Sequence, residues 1–188
     1  MCCFDEAPTP PADPPADPPP GGGGLGWQLP SPYQLDRDGI IATAAAFVGF
    51  SYWWGGAKLP DPWEAAGKPH GSCSSGVHSG TYGADCSGFV ADVWQLPEAV
   101  SFESTAHPFS TASFYNDRTH WRATTREQAR RGDAMVYRSG GSGHIVILES
   151  FDSWGQAWTY EARGCSYGIV HNLRSLSSSY QARVREGL

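Results

Sequence analysis

The order of periodicities along the chain predicts an α+β fold, with N-terminal helices packed on an antiparallel β-sheet. Helical spacing of apolar residues comes first, over residues 38–48 and again from Cys86, and short alternating strands follow from Ala134 onward. Helices first and meandering strands afterwards, rather than alternating β and α units, argue for an antiparallel sheet. A length of 188 residues is enough for one domain with a proper core.

Residues 1–29 read as a disordered Pro/Gly-rich tether and residues 30–188 as the folded domain. The stretch APTPPADPPADPPPGGGG at 7–24 contains nothing to bury. Its prolines favour extended polyproline II, at about 3.1 Å per residue and on the order of 40 Å in all, and its glycines add a swivel. A helix is expected over Asp38 to Val48: Ile40, Ala44, Phe47 and Val48 fall on one face, Asp38 can cap it, and Gly49 can end it. Tyr52-Trp53-Trp54-Gly55-Gly56 is an aromatic cluster running into a turn. Residues 57–83 are rich in Gly, Pro, Ser and His without periodicity and read as a long loop, which Cys73 would pin.

The helix opening at Cys86 should bury Phe89, Val90, Val93 and Trp94 and stop before Pro97. Residues 98–120 read as irregular. Thr124-Thr125-Arg126-Glu127 has the form of a capping box, starting a short helix through Arg130. Gly132-Asp133 turns into Ala134-Met135-Val136-Tyr137, and Ser139 to Gly143 makes a tight connection. Strands are expected at His144 to Ser150 and Gln156 to Ala162, with a shorter one near Gly168 to His171.

A net charge of −6 gives no basic footprint for nucleic acid, and no apolar run approaches the roughly 18 residues that span a bilayer. Eight Trp and eight Tyr suit an aromatic core first and a sugar-lined groove second. Five cysteines, at 2, 3, 73, 86 and 165, leave at least one unpaired or modified. If Cys86 stays reduced, Cys73 and Cys165 can form a disulfide, which would place the domain outside the cytosol. Met1-Cys2-Cys3-Phe4-Asp5-Glu6 has neither the basic nor the apolar region of an intact secretory signal. Two alternatives stay open there: a lipid anchor at Cys2 or Cys3 ahead of the tether, as in a processed bacterial lipoprotein, or cysteines without a role.

The chemistry concentrates in Ala84-Asp85-Cys86-Ser87-Gly88 and Ser142-Gly143-His144-Ile145-Val146-Ile147. The first places a cysteine at a helix start, and the second a histidine at a strand start. A helix N-terminus and an imidazolium both lower a thiol's pKa and so make it a nucleophile. Alternation puts His144, Val146 and Leu148 on one face, and Ala157, Thr159 and Glu161 on one face of the next strand. A hairpin over Phe151 to Gly155 can bring Glu161 opposite or diagonal to His144, where an acid would orient the imidazole. His70, Cys73 and His78 do not follow the paired spacing of metal ligands, and no metal or other cofactor is implied. His107, His120 and His171 read as structural, and Arg130-Arg131 as solvated.

Residues 38–171 resemble the NlpC/P60 group of papain-like peptidases. The resemblance is carried by Ala46-Phe47-Val48-Gly49 with Tyr52-x-Trp54-Gly55-Gly56, by Asp85-Cys86-Ser87-Gly88, by Arg131-Gly132-Asp133-Ala134-Met135-Val136-Tyr137 and by Gly143-His144-Ile145-Val146-Ile147. It implies a papain-like fold, Cys86 as nucleophile, His144 as base, and Tyr52, Asp85 and Ser87 lining the pocket for the acyl-side amino acids. Trp54 is a further candidate substrate contact. Glu161 departs from the family's usual His, Asn or Gln, and the 57–83 insert departs from its usual short link.

The function implied is an exported bacterial peptidase, monomeric, secreted or held at the periplasm or cell envelope. It would cut a γ-D-glutamyl to diamino-acid bond or a nearby amide in peptidoglycan peptides. Two alternatives remain: a papain-like amidase, deamidase or acyltransferase, such as a toxin, acting on another substrate; and an idle wall-binding lipoprotein whose Trp-rich surface holds glycan.

Overall fold

The computed structural model describes residues 34–65, 80–97, 106–116 and 119–188. The tether, Cys2, Cys3, and the His70, Cys73 and His78 group therefore lie outside the described residues. Helix α1 (Arg37–Ala46) is capped by Asp36 rather than Asp38. The Asp36 carboxylate accepts the Gly39 N–H at 2.7 Å, while Asp38 sits in the first turn and pairs with Arg131 at 2.9 Å. Arg131 is thus engaged in an exposed ion pair rather than merely solvated. Ile40, Ala44 and Phe47 are fully buried as expected, but Val48 is exposed, because the chain leaves the helix at Phe47 and the helical period no longer applies. Gly49, at φ 99°, makes the turn that lets its N–H reach Ile169 O at 2.9 Å.

Segment 57–83 is not all loop. β1 (Ser51–Tyr52), β2 (Ala57–Lys58) and β3 (Gly83–Ala84) form a small sheet in the order β1-β3-β2, with β1 parallel and β2 antiparallel to β3. Strands of two residues carry no detectable alternation. A 3₁₀ turn at Pro62–Glu64 follows β2, with the Trp63 N–H met by the Asp61 side chain at 2.9 Å.

Helix α2 (Cys86–Val93) is buried along its whole length and packs against the central strands β6 (Ser142–Phe151) and β7 (Ala157–Gly164). The supposedly irregular stretch before residue 120 holds a short helix, α3 (Thr111–Tyr115), started by a Ser110–Ser113 capping box. β4 (Trp121–Thr124) comes next. In place of a helix through Arg130 there is one 3₁₀ turn, Arg126–Gln128, capped by Thr125. Ala129 is already extended, and the Arg130 N–H goes to Asp133 Oδ2 at 2.7 Å instead of into a helix.

β5 (Ala134–Ser139), β6, β7, β8 (Gly168–Arg174) and β9 (Gln181–Arg185) join β4 in a six-stranded antiparallel sheet of order β4-β9-β5-β6-β7-β8. β8 runs to Arg174 rather than stopping near His171. β9 escapes a pattern reading because its central arginine is buried: Arg183 is 3% exposed and donates to Phe114 O at 2.8 Å and to Tyr115 O, which ties α3 to the sheet.

One apolar cluster joins Phe89, Val90 and Trp94 of the α2 region to Val136, Ile145, Ile147, Tyr160 and Ile169 of the sheet. A second gathers Met135, Val146, Leu148, Tyr180 and Ala182. Both faces of the central strands are therefore covered, which is why β5 and β6 read as near-continuous apolar runs. Trp94 and Trp121 are core residues, whereas Trp54, Trp63 and Trp154 are exposed. The architecture is the expected α+β, papain-like arrangement of a cysteine-bearing helix on an antiparallel sheet.

Candidate active site

Asp85 builds the start of α2. Its Oδ1 accepts the Gly88 N–H at 2.7 Å and the Ser87 hydroxyl at 2.9 Å, and its Oδ2 accepts the Gly55 N–H at 3.0 Å. One carboxylate thus caps the helix and fixes the Gly55 turn against it. Cys86 follows directly, 4% exposed and not in a disulfide, in the first turn, where the helix dipole favours an anion. Gly88 is required by close packing: a Cβ there would stand 2.7 Å from both Ala57 Cβ and Gly56 O.

On the sheet, Ile147 pairs with Tyr160 and Leu148 with Thr159. Continuing that register sets Glu161 diagonal to His144. The two side chains meet, His144 Nε2 to Glu161 Oε2, at 2.6 Å, with the carboxylate wholly buried. Arg174, at the end of β8, places Nη1 at 3.0 Å from Oε1 and 2.7 Å from Oε2 of the same carboxylate. Burial by itself raises the Glu161 pKa, but the hydrogen bond and charge of His144 and then those of Arg174 outweigh it and lower it to about 2. With Nε2 turned to Glu161, Nδ1 is the ring nitrogen left for a reacting group.

The predicted site residues divide accordingly. His144 with Glu161, and Asp85 with Ser87, are in direct contact, and Cys86 starts the helix that packs on the strands of the first pair. Tyr52 is 3% exposed in the main core, paired in register with Ala84, while Trp54 is 49% exposed in the turn beyond β1. Two histidines expected to be merely structural have acidic partners: His107 Nε2 lies 3.3 Å from Asp85 Oδ2, and His171 Nε2 lies 2.7 Å from Glu149 Oε2. Asp92, on α2, is buried with both carboxylate oxygens lacking a hydrogen bond. Burial, and then the charge of Asp85, push its pKa well above the usual carboxylate range. Arg174 was missed because β8 had been ended three residues short of it; alternation continued past His171 puts Arg174 on the face of Asn172 and would have found it.

No family model matches the chain. It is 31% identical over 110 residues to the peptidoglycan endopeptidase RipB of Mycobacterium tuberculosis, covering 57% of this chain and 37% of RipB. It is 30% identical over 142 residues to the peptidoglycan endopeptidase RipA of the same species, covering 73% of this chain and 25% of RipA. Among solved structures, the peptidoglycan hydrolase RipB superposes with a TM-score of 0.49 at 23% identity, over 78% of this chain and 62% of that one. RipD of M. tuberculosis, a non-catalytic NlpC/p60 domain protein adapted to peptidoglycan binding, gives a TM-score of 0.49 at 16% identity, over 81% and 98%. The chain spans 37% of RipB and 25% of RipA, and its ordered motifs resemble those of the NlpC/P60 family.

Proposed function

We propose that this protein is a cysteine hydrolase of peptidoglycan peptides, with Cys86 as nucleophile, His144 as general base and acid, and Glu161 as the group that orients His144. The observation that carries this is the buried 2.6 Å contact between His144 and Glu161, on strands against which the Cys86 helix packs. Its relatives RipA and RipB, of which the chain spans 25% and 37%, are peptidoglycan endopeptidases, which favours the same bond class here. The bond would be γ-D-glutamyl to diamino acid or a neighbouring amide, with Tyr52, Asp85, Ser87 and Trp54 receiving the acyl side.

The Cys86 thiolate attacks the amide carbon to give a tetrahedral oxyanion, which backbone N–H donors at the helix start receive, that of Cys86 among them. The C–N bond breaks as the imidazolium of His144 protonates the leaving amine. Water, deprotonated by His144, then attacks the thioester, and the acid leaves as the Cys86 thiolate and His144 imidazolium are restored. Glu161 keeps the ring in one tautomer and supports its charge throughout. A disulfide between Cys73 and Cys165, an extracytoplasmic location, and a tethered domain anchored at Cys2 or Cys3 belong to the same proposal.

The test is incubation of the purified protein with cell-wall muropeptides. New primary amines that disappear in Cys86→Ala are expected. Equal binding without cleavage by both proteins would overturn hydrolysis in favour of wall binding. Indifference to wall material, with Cys86 still alkylated by iodoacetamide, would point to another amide or ester.

A further inference from the structure

We infer that Arg174 is a positioning residue of this site: its guanidinium fixes the buried carboxylate of Glu161 in the orientation that receives His144, and offsets its charge. The role presupposes the Cys86–His144–Glu161 assignment, but its electrostatic part is measurable without turnover.

Glu161 has no access to water, and an ionised carboxylate so buried persists only when paired. His144 supplies one contact, to Oε2 alone, and one contact leaves the carboxylate plane free to rotate. Arg174 Nη1 reaches both oxygens, at 3.0 and 2.7 Å, and so fixes that plane. The Thr159 hydroxyl adds only a long contact of 3.5 Å to Oε1. Arg174 pairs in register with Ala157, four positions before Glu161 on β7, so its side chain must run back along the sheet. Ala157 and Thr159 are small enough to permit that path.

The charge matters as much as the geometry. A lone buried carboxylate 2.6 Å from His144, with no cation beside it, would favour the charged form of the ring. Arginine stays cationic at any working pH, so Glu161 and Arg174 together are neutral. His144 then meets an ionised partner whose charge Arg174 balances. The other titratable groups nearby are engaged elsewhere. Arg163 lies over the Tyr167 ring at 4.1 Å, His171 pairs with Glu149, Asp85 binds Ser87, and Tyr137, across from His144 on β5, packs on Tyr180 with ring centroids 4.8 Å apart. Besides these, the Cys86 thiol on α2 is the group whose protonation His144 would share.

The experiment is NMR titration of the His144 ring in the wild type, Arg174→Met and Arg174→Lys, its resonance assigned by loss in His144→Ala, beside the pH profile of kcat/KM on wall peptides. In Arg174→Met the His144 pKa should rise by roughly one unit or more, and the alkaline limb of kcat/KM should move with it. Arg174→Lys keeps a cation and a folded sheet, and should shift the same way by less. An unchanged or lowered His144 pKa in both variants overturns the inference. Absence of wall cleavage by the wild type would count against the proposed function alone, since the ring titration would still decide the role of Arg174.

Discussion

His144 and Glu161 sit on neighbouring antiparallel strands and meet at 2.6 Å, with the carboxylate fully removed from solvent. Their separation of 17 positions is closed by a hairpin in which Asp152 Oδ1 accepts the N–H groups of Trp154 and Gln156, at 2.9 and 2.7 Å. Placement of Glu161 against His144 therefore depends on a tight local turn rather than on long-range packing. That gives the pair its precision, and it also concentrates the cost of burying a charge at one point in the sheet.

The pairing that outweighs that cost makes stability depend on pH in a definite direction. The folded-state pKa of Glu161 lies near 2, below the 4.5 of an unperturbed glutamate. Its contribution is therefore complete above pH 4.5 and is lost as pH falls towards 2, because protonation favours the unfolded chain. Urea midpoints measured across that window should fall steeply for the wild type, by on the order of a few kcal/mol in total. Glu161→Gln should lack this slope. At neutral pH it should be less stable by about 3 kcal/mol, with the Arg174 guanidinium no longer facing a carboxylate, and slower on wall peptides by roughly 10²- to 10⁴-fold. Parallel midpoint curves for the two proteins would show that the pair carries no such linkage.

Much of this site was legible in the sequence because its parts are local. Asp85, Cys86 and the apolar spacing of Phe89, Val90 and Val93 define a capped, buried helix without reference to anything distant. Alternation along β6 and β7 puts His144 and Glu161 within reach once a hairpin joins them. What stayed hidden depends on distance or brevity. His107 is 22 positions from Asp85, well past the far end of α2, so no local period predicts the contact. Strands β1, β2 and β3 have two residues each, too few to alternate. Arg183 and Arg185 look like surface charges, yet their guanidinium groups meet the backbone carbonyls of Phe114 and Trp94, at 2.8 and 2.6 Å.

Asp85 is expected to be the most sensitive residue at the start of α2. Asp85→Ala removes the acceptor of the Gly88 and Gly55 N–H groups and of the Ser87 hydroxyl together. A lost cap and newly unmet buried donors should lower stability by about 1–3 kcal/mol in thermal or urea unfolding. Asp85→Asn keeps an acceptor oxygen and should retain most of the stability. If the two variants proved equally stable, the cap would not be what holds this end of the helix.

Asp92 should behave in the opposite sense to Glu161. Its folded pKa lies well above 3.8, since burial disfavours the carboxylate and Asp85 repels it. Between 3.8 and that raised value the folded protein holds a proton that the unfolded chain has released, so stability declines as pH rises. Asp92→Asn removes the titration. The variant should gain on the wild type by about 1.4 kcal/mol per pH unit above 3.8, until the folded pKa is reached. Unfolding midpoints at pH 4, 5, 6 and 7 would reveal this widening gap, and a constant difference would refute it.

Gly143 precedes His144 and has no room for a side chain. A Cβ there would lie 2.5 Å from Thr111 Oγ1, 2.9 Å from Thr111 Cβ and 2.7 Å from Tyr137 O. The Thr111 hydroxyl can turn away, but the Tyr137 carbonyl belongs to the β5–β6 ladder, where Tyr137 pairs with His144 itself. Gly143→Ala must therefore shift the strand that presents the imidazole, at a cost of about 1–3 kcal/mol. Thr111→Ala in the same chain removes the hydroxyl while leaving its own Cβ and the carbonyl in place. It should recover less than half of the lost stability, and little of the lost activity. Full recovery in the double variant would mean that the strand tolerates the extra carbon, and that His144 is positioned by its contact with Glu161 rather than by the backbone beneath it.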